Sequence, residues 1–171
     1  MGKILRIRRM FNIWMLNKFF CGTHFFDIKR KLLNAADIHC GEGTCIVGPV
    51  YLGNVAKVSF GCHVWVGTKF SVYGNGAVTI EDNVDIAPDV AFLTGSHEVS
   101  DNPQRRAGKG VSYEIEVQEG CWIGARSTIM GNTTIDTGTI IAAGAVINRS
   151  VGPNVIVGGV PGKEIRSLDE Q

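Results

Sequence analysis

From Val117 to Gly152 the chain repeats in sixes: VQEGCW, IGARST, IMGNTT, IDTGTI, IAAGAV, INRSVG. The first place of each hexad holds Val117, Ile123, Ile129, Ile135, Ile141 and Ile147, and the fifth holds Cys121, Ser127, Thr133, Thr139, Ala145 and Val151. A bulky aliphatic every six residues fits neither the 3.6-residue period of a helix nor the plain alternation of a strand. The fourth place is Gly120, Arg126, Asn132, Gly138, Gly144 and Ser150. Gly and Asn tolerate positive φ and can turn the chain at low strain. A short strand and a turn per hexad trace one side of a prism. Three sides close a coil of about 18 residues, whose inward aliphatics stack on those of the next coil.

The same phase reads earlier at Ile46, Leu52, Val58, Val64 and Phe70, with Val50, Ala56, Cys62, Thr68 and Gly74 in the fifth place. It slips at VYGNGAVT and resumes at Ile80, Ile86 and Phe92. After His97 the period stops. Residues 98 to 114 bring Pro103, Arg105, Arg106 and two glycines, and read as a loop extruded from the coil. Loops on rigid scaffolds tend to carry function. The expected fold is all-β: a three-faced parallel β-helix over 38–160 with that extruded loop, a helical arm over 1–37 and a C-terminal tail over 161–171.

At 171 residues the chain is expected to form one domain. Its net charge of +1 is unevenly placed: eight Lys/Arg and one acid through Lys31 give +7, and nine against fifteen give −6 for the rest. A basic arm suggests an anionic surface, and nothing in the composition points to a nucleic acid. Asn12, Asn17 and Lys18 interrupt the apolar run of the arm, and no A-x-A-like cleavage site follows. No 18-residue apolar stretch suits a membrane span. The expectation is a cytoplasmic protein whose arm packs on its own body, with a peripheral contact to the inner face of a membrane as the second use of the arm. Five cysteines without a C-x-x-C pair read as reduced apolar fillers. His39, Cys40 and Cys45 match no standard zinc spacing, so no metal is expected.

The stretches IGARSTI, IAAGAVI and GGVPGKEIR resemble the hexapeptide-repeat acyltransferases. The likeness covers about residues 38 to 168 and is nearest over 80 to 166, where the chain is similar to the maltose, galactoside, nodulation and surface-polysaccharide O-acetyltransferases. That resemblance implies a left-handed β-helix, against the usual right-handed crossover. It also implies a homotrimer with active sites between adjacent prisms, and acetyl-coenzyme A as co-substrate. The arm and the NPQRRAGKG segment look more like acyltransferases of capsule or O-antigen assembly, which moves the acceptor towards a surface-polysaccharide sugar or its lipid-linked precursor. A nucleotide-sugar N-acetyltransferase, a serine acetyltransferase and a non-catalytic structural β-helix are the other readings. A carbonic-anhydrase-like β-helix needs an H-x4-H pair, which this sequence lacks.

A sugar hydroxyl is a poor nucleophile, and its attack on a thioester needs its proton removed. An imidazole, with a free pKa of ~6.5, suits that task near neutrality. GSHEVSDNPQRRAGKG matches the histidine-then-loop pattern of the family, so the resemblance makes His97 the general base of a direct attack in a ternary complex. Glu98, Asp101, Glu116 or a backbone carbonyl could orient it. Asn75 and Asp101 are the acceptor-binding candidates. His24, His39 and His63 read as structural or solvated. By resemblance the Ala125 amide binds the thioester carbonyl, where a fixed donor counts most, and Ala143 contacts the pantetheine. Trp122, 25 residues after His97, stands where the resemblance implies a residue flanking the cleft. The resemblance also implies that Asn148, Arg149, Lys163 and Arg166 lie near the nucleotide end of the cofactor, where cations suit phosphate oxygens.

Overall fold

Three parallel sheets form the sides of a prism in the computed structural model, which describes residues 2–53 and 56–169. Each sheet carries a column of inward side chains at matched register. On one side Phe60, Ile80, Val117 and Ile135 are partners in successive coils. On the next, Ile46, Val66, Ile86, Ile123, Ile141 and Val157 are partners. On the third, Val72, Phe92, Ile129 and Ile147 stack. All of these are at most 2% exposed, so the core is one continuous column. Burial of this kind stabilises by about 1.5–3 kcal/mol per large side chain, and only when the adjacent coil is in place. Gly120, Arg126, Asn132, Gly138 and Gly144 all have positive φ, as the fourth place requires.

The register corrects two parts of the sequence reading. Val58 partners Val78, and Phe60 partners Ile80, so the main column passes through Phe60, Val66 and Val72. Val58, Val64 and Phe70 fill the companion inward place that later coils give to Thr133, Cys121 and Ser127. Both places face inward, which is why hydrophobicity alone did not separate them. Coil length also varies. Ile46 to Val66 and Val66 to Ile86 are 20 residues each, while Ile123 to Ile141 is 18. The two additional residues enter where the third side turns into the first, between Leu52 and Phe60 and again between Val72 and Ile80. The long excursion between Phe92 and Val117 leaves at that same corner.

That excursion is not an irregular loop. Gly95–Val99 and Ala107–Ser112 form an antiparallel hairpin with a bulge between Ala107 and Gly110, and the turn lies at Ser100–Arg106.

The arm folds as two helices, α1 (Lys3–Phe19) and α2 (Phe26–Ala35), over the open end of the first coil. A coil at the end of a solenoid presents backbone groups with no next strand. Side chains of the arm take its place. The Asn17 amide donates to the Val50 carbonyl at 2.8 Å and accepts the Val50 N–H at 2.9 Å. Asn34 makes the same double pairing with Cys40, at 3.1 Å each way. Arg9 donates to the Leu52 carbonyl at 2.8 Å, and Lys29 to those of Ile46 and Val47 at 2.7 and 3.2 Å. The asparagines that break the apolar pattern of the arm therefore include a backbone cap. Part of its positive charge is also turned inward, on carbonyls rather than on an external anion.

Lys163–Ser167 folds back antiparallel on Val155–Gly158 at the other end, so the tail carries a strand. Burial pushes the Cys40 thiol up to about 12 and Cys121 to about 11, which keeps both protonated as fillers. No helix among the described residues is long and apolar enough to cross a membrane.

Candidate active site

The hairpin is rooted by Thr94, which is fully buried. Its hydroxyl donates to the Tyr73 carbonyl at 2.9 Å and accepts the Gly76 N–H at 3.1 Å. Its carbonyl accepts the Tyr113 N–H at 2.7 Å, which ties the two ends of the excursion together. Gly74, at φ +102°, passes so close that a Cβ there would stand 2.8 Å from the Gly95 Cα. Two neighbouring corners are thereby joined. Their additional residues enclose an open hollow of about 360 Å³ lined by Gly74, Asn75, Ser96, His97, Gly110 and Ser112 among others.

His97 is exposed and lies opposite Gly110 in the hairpin. Its Nδ1 is 2.9 Å from the Gly108 carbonyl oxygen. A carbonyl can only accept, so Nδ1 carries the proton in that contact and the neutral ring keeps its lone pair on Nε2. The orienting group is thus a backbone carbonyl. Glu98, Asp101 and Glu116 do not line the hollow. Asn75 and His97 are brought together, and Ser96 and Ser112 also line the hollow. Sequence reasoning missed both serines, and it could not name Gly108, which acts through an atom every residue possesses. The eight-residue step from Val72 to Ile80 was the available signal for this corner. Asp101 stands beyond the strand, where its carbonyl accepts from Arg106 at 3.3 Å. It is not brought to His97.

The proposed donor residues lie elsewhere. Ile123 partners Ile141, which stacks Ala125 over Ala143 at the corner between the second and third sides. The Gly144 N–H donates to the Ala125 carbonyl at 2.9 Å. A Cβ on Gly124 would meet the Ile141 oxygen at 2.5 Å and the Ala143 nitrogen at 2.6 Å, so this corner admits only glycine at that place. Trp122 is 54% exposed on the second side. Asn148 and Arg149 follow the last strand of the third side, and Lys163 and Arg166 lie in the terminal strand, opposite Gly158 and Ile156. All four are exposed. None of these seven residues lines the hollow of His97. Within one chain the base candidate and the corner of Ala125 and Ala143 occupy the two different edges of the third side, while Asn148 and Arg149 follow that side on the edge of His97, two coils further along.

Residues 114–149 match the family described as bacterial transferase hexapeptide (six repeats). The galactoside O-acetyltransferase of Escherichia coli K12 is 30% identical over 151 residues, covering 87% of this chain and 74% of the relative. The structure of a hexapeptide-repeat-containing acetyltransferase of Vibrio cholerae complexed with acetyl coenzyme A superposes with a TM-score of 0.81 at 27% identity, covering 97% of this chain and 88% of that one. A maltose O-acetyltransferase of Clostridium difficile has the same fold, with a TM-score of 0.76 at 20% identity over 99% of this chain and 90% of that one.

Proposed function

The chain belongs to the hexapeptide-repeat acetyltransferases, and from that membership we propose that it moves the acetyl group of acetyl-coenzyme A to a hydroxyl of a sugar or of a polysaccharide precursor. His97 is the general base. Its Nε2 takes the proton as the acceptor oxygen attacks the thioester carbonyl, the C–S bond breaks, and coenzyme A leaves as the thiol once it gains a proton. No acyl-enzyme is needed. The observation that carries this reading is the imidazole fixed by the Gly108 carbonyl in an open polar hollow. Asn75 lines that hollow and Ser112 stands on the face of the hairpin that carries His97, and residues with amide and hydroxyl groups suit a polyhydroxylated acceptor.

The donor site is shared between copies in this reading. A neighbouring prism laid along the third side supplies the corner of Ala125 and Ala143, and the Ala125 amide stabilises the charge that develops on the thioester oxygen. Trp122 flanks the cleft, and Asn148, Arg149, Lys163 and Arg166 hold the nucleotide end. The protein is then a homotrimer, as the separation of the two half-sites within one chain favours.

Consumption of acetyl-coenzyme A, measured with simple sugars, nucleotide sugars, polysaccharide fragments and serine, tests the proposal. Turnover with a hydroxyl-bearing sugar or fragment is expected. Exclusive turnover with an amino sugar nucleotide or with serine overturns it. Ala143→Leu adds bulk at an exposed corner where a Cβ already stands. It should leave thermal stability unchanged and raise the KM for acetyl-coenzyme A by about tenfold, the scale of ~1.4 kcal/mol of lost binding. An unchanged KM removes Ala143 from the donor slot.

A further inference from the structure

Helix α1 meets the protein with one face and leaves the other uncovered. Arg9, Asn12 and Leu16 are buried against the first coil. On the opposite face Ile4, Ile7, Phe11 and Trp14 form a row at helical spacing, 85%, 59%, 54% and 53% exposed. The ring of Trp14 lies 5.9 Å from that of Phe11 and edge-on to Phe19 at 5.6 Å, so the apolar surface continues to the end of the helix. Exposed Lys3, Arg6 and Arg8 flank this row and Lys18 follows it on the same face near the end of the helix, and no acidic residue precedes Asp27. A contiguous apolar patch of this kind marks an interaction surface.

The charges choose the occupant. Two copies meeting through α1 would bring cation against cation. An anionic lipid surface complements the flanking Lys and Arg, and its acyl boundary accepts the apolar row. Indole suits that depth because one end of it is apolar and the other donates a hydrogen bond. We propose that α1 docks the protein flat on an anionic phospholipid bilayer, with Ile4, Ile7, Phe11 and Trp14 immersed and Lys3, Arg6, Arg8 and Lys18 at the headgroups. The inward cations Arg9 and Lys29 take no part, because their charge is already held by backbone carbonyls. This reading concerns where the protein sits and stands apart from acetyl transfer.

Flotation of the full chain with vesicles tests it. Vesicles of phosphatidylcholine mixed with phosphatidylglycerol should carry the protein upward, and pure phosphatidylcholine should carry much less. Binding should fall as salt is raised from ~0.05 to ~0.5 M, since the Debye length shortens several-fold. Phe11→Ser with Trp14→Ser should lower the vesicle-bound fraction at least tenfold, while acetyl transfer to a free acceptor in solution is unchanged. Arg8→Gln with Lys18→Gln should weaken binding to the mixed vesicles alone. Failure of the native protein to float with anionic vesicles overturns the proposal, as does equal flotation of the serine variant. A light-scattering mass that drops in the serine variant, with no flotation of either protein, assigns the row to a second copy and overturns it too.

Discussion

His97→Ala should lower turnover at saturating donor by about 10²- to 10⁴-fold, the range over which a positioned general base acts. The KM for acetyl-coenzyme A should change little, because the residues assigned to the donor are others, with Ala125 and Ala143 at the other edge of the third side. Stability should be unaffected as well. The imidazole is exposed and, among the described residues, its ring pairs with the Gly108 carbonyl alone, so its loss leaves no buried cavity. These three readouts separate a base from a structural residue. A packing role would move the unfolding midpoint, and a donor-binding role would move KM. His97→Gln tests the assignment further, since an amide can donate to Gly108 but cannot take a proton at neutral pH. It should be as inactive as the alanine variant. A His97→Ala protein that retains near-full turnover would dismiss the imidazole as the base.

The sequence made the solenoid legible because its physical requirement is periodic. An inward aliphatic must recur with each side, and a residue tolerant of positive φ must precede each corner. Both demands fall on fixed places, and Ile123, Ile129, Ile135 and Gly138, Gly144 meet them. The early coils were read two residues out at Val58, Val64 and Phe70. There both inward places hold bulky residues, and the two-residue enlargement of a corner shifts the phase without changing hydrophobicity. His97 was legible as the point where the period stops. What holds it was not, for Gly108 contributes a carbonyl, and the antiparallel pairing that brings this carbonyl to the ring spans 11 residues of non-repeating sequence. The caps of the first coil were hidden for a related reason. Arg9 and Leu52 are 43 residues apart, and no local pattern links them. The hand of the coil follows from family membership and not from the spacing.

Lys29→Met should destabilise the fold by about 3 kcal/mol, the cost of leaving buried carbonyls without a donor at ~1–3 kcal/mol each. Lys29 is fully buried, and its ammonium donates to Gly22, Ile46 and Val47 while lying 4.9 Å from the ring centre of Phe26. Methionine replaces the stem with similar volume, so the loss reports the hydrogen bonds and not a cavity. Lys31→Met, two positions away on the same helix and exposed, is the matched control and should stay within about 0.5 kcal/mol of the parent. The alkaline dependence of stability supplies an independent check. Burial lowers the Lys29 pKa from its ordinary 10.5. Between the lowered value and 10.5 this amine therefore binds more proton in the unfolded chain than in the folded one, and its contribution to stability rises with pH across that window. The contribution is complete above 10.5 and is lost as pH falls through the folded value. The raised Cys40 and Cys121 thiols pull the stability of both proteins down as pH climbs above 9, so the Lys29 contribution is read as a difference: chemical denaturation at several alkaline pH values should show the parent falling less steeply than Lys29→Met across that window. Because the uncapped first coil would present free backbone groups, the variant should also aggregate end to end on partial unfolding. If Lys29→Met unfolds at the same denaturant concentration as Lys31→Met, the ammonium does not cap the first coil, and the inward charge of the arm needs another explanation.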